Sequence, residues 1–229
     1  MEIYSLAGTS VSERSGAYCM TKGTNKNIKA VVFDFGGVIE LYEGGTMLSA
    51  IAQNLGVSVS DFRSVYFQHN HLSNVKNMSW EDMILTVASV FNKDKAKEDE
   101  IRKIIQDRAS RRCVNTELLS FFPQLKKLGL KTGIFSNANS ALRERMKELG
   151  LLDLPDVLVL SGDIGHQKPH KEAFQILFEK LNLSPEEVVF IDDTPRSLEK
   201  AGEIGYIPIL FKNNEQLKTD LKDMGIDLI

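Results

Sequence analysis

Ala30-Val31-Val32-Phe33-Asp34-Phe35-Gly36-Gly37 is the stretch from which the fold can be read. Its first four residues are apolar without alternation, as in a short strand buried on both faces, and Asp34 ends the run where two glycines open a tight loop. Four more runs of this kind follow at 130–135, 157–160, 188–191 and 207–211. Helical spacing fills the intervals between them. Asn115 caps Leu118, Leu119, Phe122 and Leu125 ahead of Gly129; Leu142, Met146 and Leu149 run to Gly150; Ala173, Phe174, Leu177, Phe178 and Leu181 follow Pro169; Leu198, Ala201 and Ile204 mark a helix ending at Gly205. Caps and glycines of this kind punctuate helix ends, and Ser184-Pro185-Glu186-Glu187 is a tight lead into the run at 188–191. Strand alternating with helix predicts an α/β fold with a doubly wound parallel sheet.

One interval is too long for this scheme. Ser136 stands 102 positions after Asp34, far more than a crossover needs. The intervening spacing is helical: Leu48, Ile51, Ala52 and Leu55; Phe62, Val65 and Tyr66 after Ser60; Trp80, Ile84, Val87 and Phe91 after a Ser79 cap; Ile101, Ile104 and Ile105. Four amphipathic helices predict a small inserted bundle with Trp80 in its core. The expected division is a polar, disordered extension at 1–29, a core made of 30–41 and 112–229, and a helical bundle at 42–111.

Composition narrows the classes of function. The 28 basic and 31 acidic side chains are interspersed, with a net charge of -3, so the chain carries no electrostatic footprint for nucleic acid. No stretch approaches the roughly 20 apolar residues of a membrane span, and residues 1–29 lack the apolar centre of a signal peptide. Cys19 and Cys113 lie far apart without CxxC or histidine spacing. That argues against a zinc site or a disulfide framework and suits a reducing, cytoplasmic setting. His69, His71, His166 and His170 read as exposed polar residues, and the first two lie in the bundle, where a substrate contact stays open.

Ligands of open parallel sheets bind beyond the carboxyl ends of the strands. Asp34, Ser136 with Asn137, and the pair Asp192-Asp193 all stand at such ends, and Lys168, at the mouth of a helix, can reach the same point. Singly, each has a plainer role: Asp34 before Gly36 and Gly37 forms a turn, Ser136 and Asn137 cap a helix, Lys168 is a solvated charge, Asp192 and Asp193 are an N-cap pair. Together, a nucleophile, a hydroxyl, an ammonium and a carboxylate pair are a set suited to phosphoryl transfer.

In order and spacing these segments resemble the four motifs of the haloacid dehalogenase superfamily. Val31-Val32-Phe33-Asp34-Phe35-Gly36-Gly37-Val38-Ile39 is similar to the first, Ile134-Phe135-Ser136-Asn137 to the second, Lys168-Pro169 to the third, and Phe190-Ile191-Asp192-Asp193-Thr194-Pro195-Arg196 to the fourth. The inserted bundle resembles the superfamily's helical C1 cap, and the chain resembles members of the sugar-1-phosphate phosphatase and epoxide hydrolase N-terminal phosphatase type. The resemblance spans roughly residues 30–211 and implies a Rossmann-like core and a small phosphorylated metabolite as substrate. It implies Asp34 as a nucleophile forming an aspartyl-phosphate, and Mg²⁺ on the Asp34 carboxylate, the Gly36 carbonyl and Asp193. Ser136 and the Asn137 amide would hold phosphate oxygens, Lys168 would neutralise charge, and Asp192 would support the metal shell or orient Lys168.

The chain departs from that pattern at one position. Most phosphatases of the superfamily carry a second aspartate two positions past the nucleophile, serving as general acid, and here that position is Gly36. Either the leaving group needs little protonation, as in an anomeric or acyl phosphate, or a cap residue or water substitutes. A 2-haloacid dehalogenase, in which the aspartate attacks carbon, is the alternative enzyme, and Asp193 speaks against it. A catalytically idle binding protein is the alternative outside enzymes, kept open by Gly36. A receiver domain uses similar residues in a different order and has no helical insertion.

Overall fold

The computed structural model describes residues 27–42 and 47–229. Among them are seven strands: β1 (Ala30–Phe33), β2 (Glu40–Tyr42), β3 (Arg112–Val114), β4 (Lys131–Ser136), β5 (Val157–Leu160), β6 (Val188–Asp192) and β7 (Ile207–Leu210). Five of them form one sheet in the order β5-β4-β1-β6-β7, and every neighbouring pair is parallel. All five strands expected from the apolar runs are present. Because β1 has β4 on one side and β6 on the other, the sheet grows outward in both directions from β1. The carboxyl ends of β1, β4 and β6 therefore open side by side at a switch point.

The period of two along each strand divides the core between the two faces of the sheet. Val31 and Phe33 of β1 join Ile134, Val189, Ile191 and Ile209 against Phe121, Phe122, Leu125, Met146, Leu217 and Leu221. Ala30 and Val32 join Phe135, Val159 and Phe190 against Phe174, Leu177, Leu181 and Leu198 on the other face, where Phe174 stacks on Tyr206 at 4.5 Å. Asn115 caps the helical turn Thr116–Leu119 by accepting a bond from the Leu118 amide. The helix expected across Leu198, Ala201 and Ile204 is instead two single turns, Pro195–Leu198 and Ala201–Ile204.

The insertion holds the four expected helices, Met47–Leu55, Val59–His69, Trp80–Ser89 and Lys95–Ser110, and also a single turn, His71–Asn74. They enclose their own apolar cluster, with Ile51, Phe62, Met83, Ile84, Val87 and Ile101 at its centre. Ser79 caps as expected, accepting from the Asp82 amide at 3.0 Å. At the second helix the cap is Ser58: its Oγ accepts from the Asp61 amide at 3.0 Å, one turn ahead of the apolar stripe.

Two short strands went unpredicted. β2 and β3 pair antiparallel, with Glu40 opposite Val114 and Tyr42 opposite Arg112, so the chain enters and leaves the insertion through one ribbon. Glu40 is buried, and its carboxylate pairs with Arg145 of the core at 3.1 Å and with Arg112 of β3 at 3.6 Å. Asparagines also tie the insertion to the core. Asn77 Nδ2 donates to the Gly162 carbonyl at 3.1 Å, Asn139 Nδ2 donates to the Met78 carbonyl at 3.0 Å, and Ser161 Oγ donates to the Asn74 carbonyl at 2.6 Å. The disordered extension expected over 1–29 falls outside the described residues apart from 27–29, as does Cys19. Among the described residues, no helix is long and apolar enough to cross a membrane.

Candidate active site

Asp34 is the residue after β1, and its amide donates to the Ile191 carbonyl of β6 at 2.8 Å, so the strand's own ladder fixes its Cα. Its side chain is held as well. Oδ1 accepts from the Phe35 amide at 2.7 Å and lies 3.0 Å from Lys168 Nζ. Ser136 ends β4 beside it, and Asp192 ends β6. The structure brings together every residue named from the sequence: Asp34, Gly36, Ser136, Asn137, Lys168 and Asp193 line one cavity of about 500 Å³, and Asp192 lies buried beneath it.

Lys168 is the hub. Its ammonium donates to Asp192 Oδ2 at 2.6 Å and to the Phe135 carbonyl at 3.0 Å, and it lies 5.3 and 5.0 Å from the ring centroids of Phe135 and Phe190. Burial pulls its pKa down, but Asp192 and Asp34 more than offset that, and the ammonium ends above its ordinary value. Burying an ion costs several kcal/mol even after relaxation, and apolar residues in place of a buried pair are often as stable or more so. Stability alone therefore gives no reason for this arrangement, whereas a site that needs a positioned cation does.

Asn137 has a part the sequence did not disclose. Its Oδ1 accepts from the Lys168 amide at 2.8 Å and its Nδ2 donates to the Lys168 carbonyl at 3.0 Å. Two bonds in opposite directions fix the backbone that carries Lys168. Asp192 Oδ1 accepts from the Thr194 amide at 2.8 Å, which turns the other oxygen toward Lys168.

Asp193 is the exposed member of the group, and Thr194 Oγ1 donates to it at 3.2 Å. Candidate ligand atoms of Asp34, Asp192 and Asp193 all lie within 4.8 Å of one another. Gly37, at φ +81°, makes this approach possible, because a Cβ there would overlap the Asp193 carboxylate. Burial, opposed by Lys168 and reinforced by Asp192 and Asp193, pushes the Asp34 carboxyl up to about 7. Burial and the neighbouring Asp192 charge raise Asp193. Clustered carboxylates that resist ionisation together, with hard oxygen donors and a gap over glycine, fit a divalent cation such as Mg²⁺.

The insertion supplies the far wall, including Tyr66, Asn70, Asn74, Trp80 and Arg108. Trp80 packs on the bundle cluster, as expected, but also faces the cavity. His69 and His71 pair instead with carbonyls of their own turns, Val65 and Gln68, while exposed His170 lines the cavity.

Fold and site together define a class: doubly wound α/β proteins with a buried aspartate ending the central strand, a lysine bridging two carboxylates, and a helical insertion facing them. The chain belongs to the haloacid dehalogenase-like hydrolase family, whose model matches residues 28–204. It is 27% identical over 215 residues to D-ribitol-5-phosphate phosphatase of Bacteroides thetaiotaomicron, covering 85% of this chain and 97% of that one. It is 30% identical over 129 residues to bifunctional epoxide hydrolase 2 of Mus musculus, covering 53% of this chain and 23% of that protein. The chain thus spans well under half the length of the epoxide hydrolases it matches. A haloacid dehalogenase-like hydrolase structure from Porphyromonas gingivalis superposes with a TM-score of 0.61 at 18% identity, covering 88% of this chain and all of that one. A family enzyme from Bacteroides thetaiotaomicron, in complex with magnesium and inorganic phosphate, superposes with a TM-score of 0.56 at 18% identity, covering 83% and 98%. At these identities the structural likeness speaks for the fold.

Proposed function

We propose that this hydrolase is a Mg²⁺-dependent phosphoric monoester hydrolase, acting on a small phosphorylated metabolite through an aspartyl-phosphate on Asp34. The observation that carries the proposal is the Asp34–Lys168–Asp192 chain of contacts at 3.0 and 2.6 Å, with Asp193 poised over Gly37. The named activity of the Bacteroides relative and the magnesium and phosphate bound by the family structure support it.

Phe35 and Lys168 occupy Oδ1 of Asp34, which leaves Oδ2 for attack on phosphorus. The new Oδ2–P bond forms as the ester P–O bond breaks and the leaving oxygen departs with its electron pair, taking a proton from solvent. Water then attacks the same phosphorus and gives up a proton to solvent, the P–O bond to Asp34 breaks, the carboxylate is regenerated and inorganic phosphate is released. Ser136 Oγ and the backbone amide of Asn137 hold phosphate oxygens. Lys168, kept charged by Asp192, balances the negative charge that gathers on Asp34 and the phosphoryl group. The Asp34 carboxylate, the Gly36 carbonyl and Asp193 would hold the cation, which supplies charge screening between two anions when bound. With Gly36 in place of the usual acid, the site favours leaving groups that need little protonation. Residues 42–111 act as the cap over a core of 30–41 and 112–229, and the cap's inner wall chooses the substrate.

The test is phosphate release from a panel of phosphorylated metabolites, sugar 1-phosphates and 6-phosphates included, in Mg²⁺ and in EDTA, with Asp34→Asn as control. Release that needs the metal and disappears in the variant is the expected result. Metal-independent release of halide from 2-haloacids, with no phosphate release, would overturn the proposal.

A further inference from the structure

Asn70 stands at the corner between the helix Val59–His69 and the turn His71–Asn74. Its backbone is fully engaged: the amide donates to the Tyr66 carbonyl at 2.8 Å, and the carbonyl accepts from the amides of Ser73 and Asn74 at 3.2 and 2.9 Å. The side chain is not. An asparagine ahead of a helical turn ordinarily caps it with the side-chain oxygen, yet no such bond forms here. Asn70 is 9% exposed, its Oδ1 has no hydrogen-bond partner among the described residues, and it lines the same cavity as Asp34 and Lys168. Native proteins rarely bury a side-chain carbonyl without a donor.

One turn on, buried Asn74 donates Nδ2 to Gln167 Oε1 at 3.0 Å, and Gln167 adjoins Lys168. This bond ties the cap face that carries Asn70 to the loop that carries the ammonium. The cavity is lined by charges of both signs, Arg108, Lys168, Arg196 and Lys200 with Asp34, Asp193 and Glu199; these can pair with one another and with a phosphate, which leaves a neutral hydroxyl as the donor that suits Oδ1. Tyr66 and Trp80 complete this side with aromatic surface that suits the carbon skeleton of a small molecule.

We infer that Asn70 is a specificity-determining residue: its Oδ1 accepts a hydrogen bond from a hydroxyl of the leaving group, so the site selects hydroxylated phosphate esters of the sugar or polyol class over deoxy or alkyl esters of equal length. The inference rests on the phosphatase function proposed above. Water entering the cavity is the competing donor, so the hydroxyl brings selectivity more than raw affinity. An analogue without the hydroxyl leaves Oδ1 unpaired at closure, a loss of about 10- to 100-fold.

The experiment compares kcat/KM for matched pairs, ribose 1-phosphate with 2-deoxyribose 1-phosphate, whose anomeric leaving groups need little protonation, and glycerol 3-phosphate with n-propyl phosphate, in the wild type, Asn70→Leu and Asn70→Asp. The expected result is a wild-type preference of about 10-fold or more for the hydroxylated member, lost in Asn70→Leu and kept in Asn70→Asp, which retains the acceptor. Ratios within one variant cancel any general loss of folded protein. A wild type that treats both members alike, or an Asn70→Leu that keeps the wild-type ratio, overturns the inference. Calorimetric binding of the same pairs to Asp34→Asn separates the two proposals. Asn70-dependent preference in binding without wild-type turnover would sink the phosphatase function and leave the hydroxyl contact standing; no preference in either assay would sink the contact.

Discussion

Lys168 and Asp192 form an ion pair with 1% and 0% of their side chains exposed, and at 2.6 Å they are closer than Lys168 and Asp34 at 3.0 Å. Removing one member of such a pair typically costs about 3–5 kcal/mol when the other charge is left buried alone, and the low end applies here because Lys168 keeps Asp34 as a partner. Asp192→Asn is therefore expected to lower unfolding stability by roughly 3 kcal/mol and to depress turnover. The double variant Lys168→Met with Asp192→Leu should recover much of the stability in urea melts and none of the phosphate release. If the double variant keeps activity, Lys168 has no part in the chemistry.

Gly36 offers a gain-of-function test. A Cβ built there meets nothing within 4 Å, and the residue lines the cavity two positions beyond Asp34. Gly36→Asp is expected to install a general acid and raise kcat/KM for alkyl phosphates, by roughly 10²-fold if the acid is well placed. Esters with acidic leaving groups, such as aryl phosphates, should gain little. Equal change across a series of leaving groups in a Brønsted plot would show that the new carboxyl does not transfer a proton.

Gly37 behaves in the opposite way. Its φ of +81° and the Asp193 carboxylate that a Cβ would strike leave no room for alanine. Gly37→Ala is expected to displace Asp193 and raise the Mg²⁺ concentration for half-maximal activity about 10-fold or more, on the scale of losing one supporting metal contact. A magnesium titration unchanged by the substitution would remove Asp193 from the ligand set.

The folded Asp34 carboxyl, at about 7, lies above its ordinary 3.8 because of burial, only partly countered by Lys168. Between roughly pH 4 and pH 7 the folded protein holds a proton that the unfolded chain has released, so metal-free stability from this group falls as pH rises through that window. A cation needs the ionised carboxylates and competes with that proton. The rise in Tm given by Mg²⁺ over EDTA should accordingly grow from about pH 6 to about pH 8. A rise independent of pH would mean that the carboxylates are not where the cation binds.

How far the sequence disclosed all this follows from the physics of each element. β1, β4 and β6 were legible because a parallel strand covered on both faces must be apolar throughout, and Asp34, Ser136 and Asp192 stood out by ending those runs. The ribbon of β2 and β3 was not, since three-residue strands have too few turns of the pleat to show a period, and Glu40 is a charged residue buried by arginines distant in sequence. The Asn137 clamp depends on a side chain meeting a backbone 31 residues away, which no local pattern encodes. Trp80 and Asn70 belong to helix faces whose partner is set by how the bundle leans on the sheet. Asn70 stands among Gln68, His69, His71 and Ser73, so nothing in its local sequence set it apart.

The paired strands β2 and β3 have an evolutionary corollary. Since the polypeptide departs and returns at neighbouring backbone positions, Glu40 opposite Val114, everything between them is an appendage on a closed socket. A turn of a few residues could bridge that socket without rerouting any strand of the main sheet. Selection can thus trade one appendage for another, or lengthen it, while the aspartates and lysine beneath keep their mutual geometry. On the function proposed above, catalytic chemistry and choice of substrate are in that way separately heritable within a single chain.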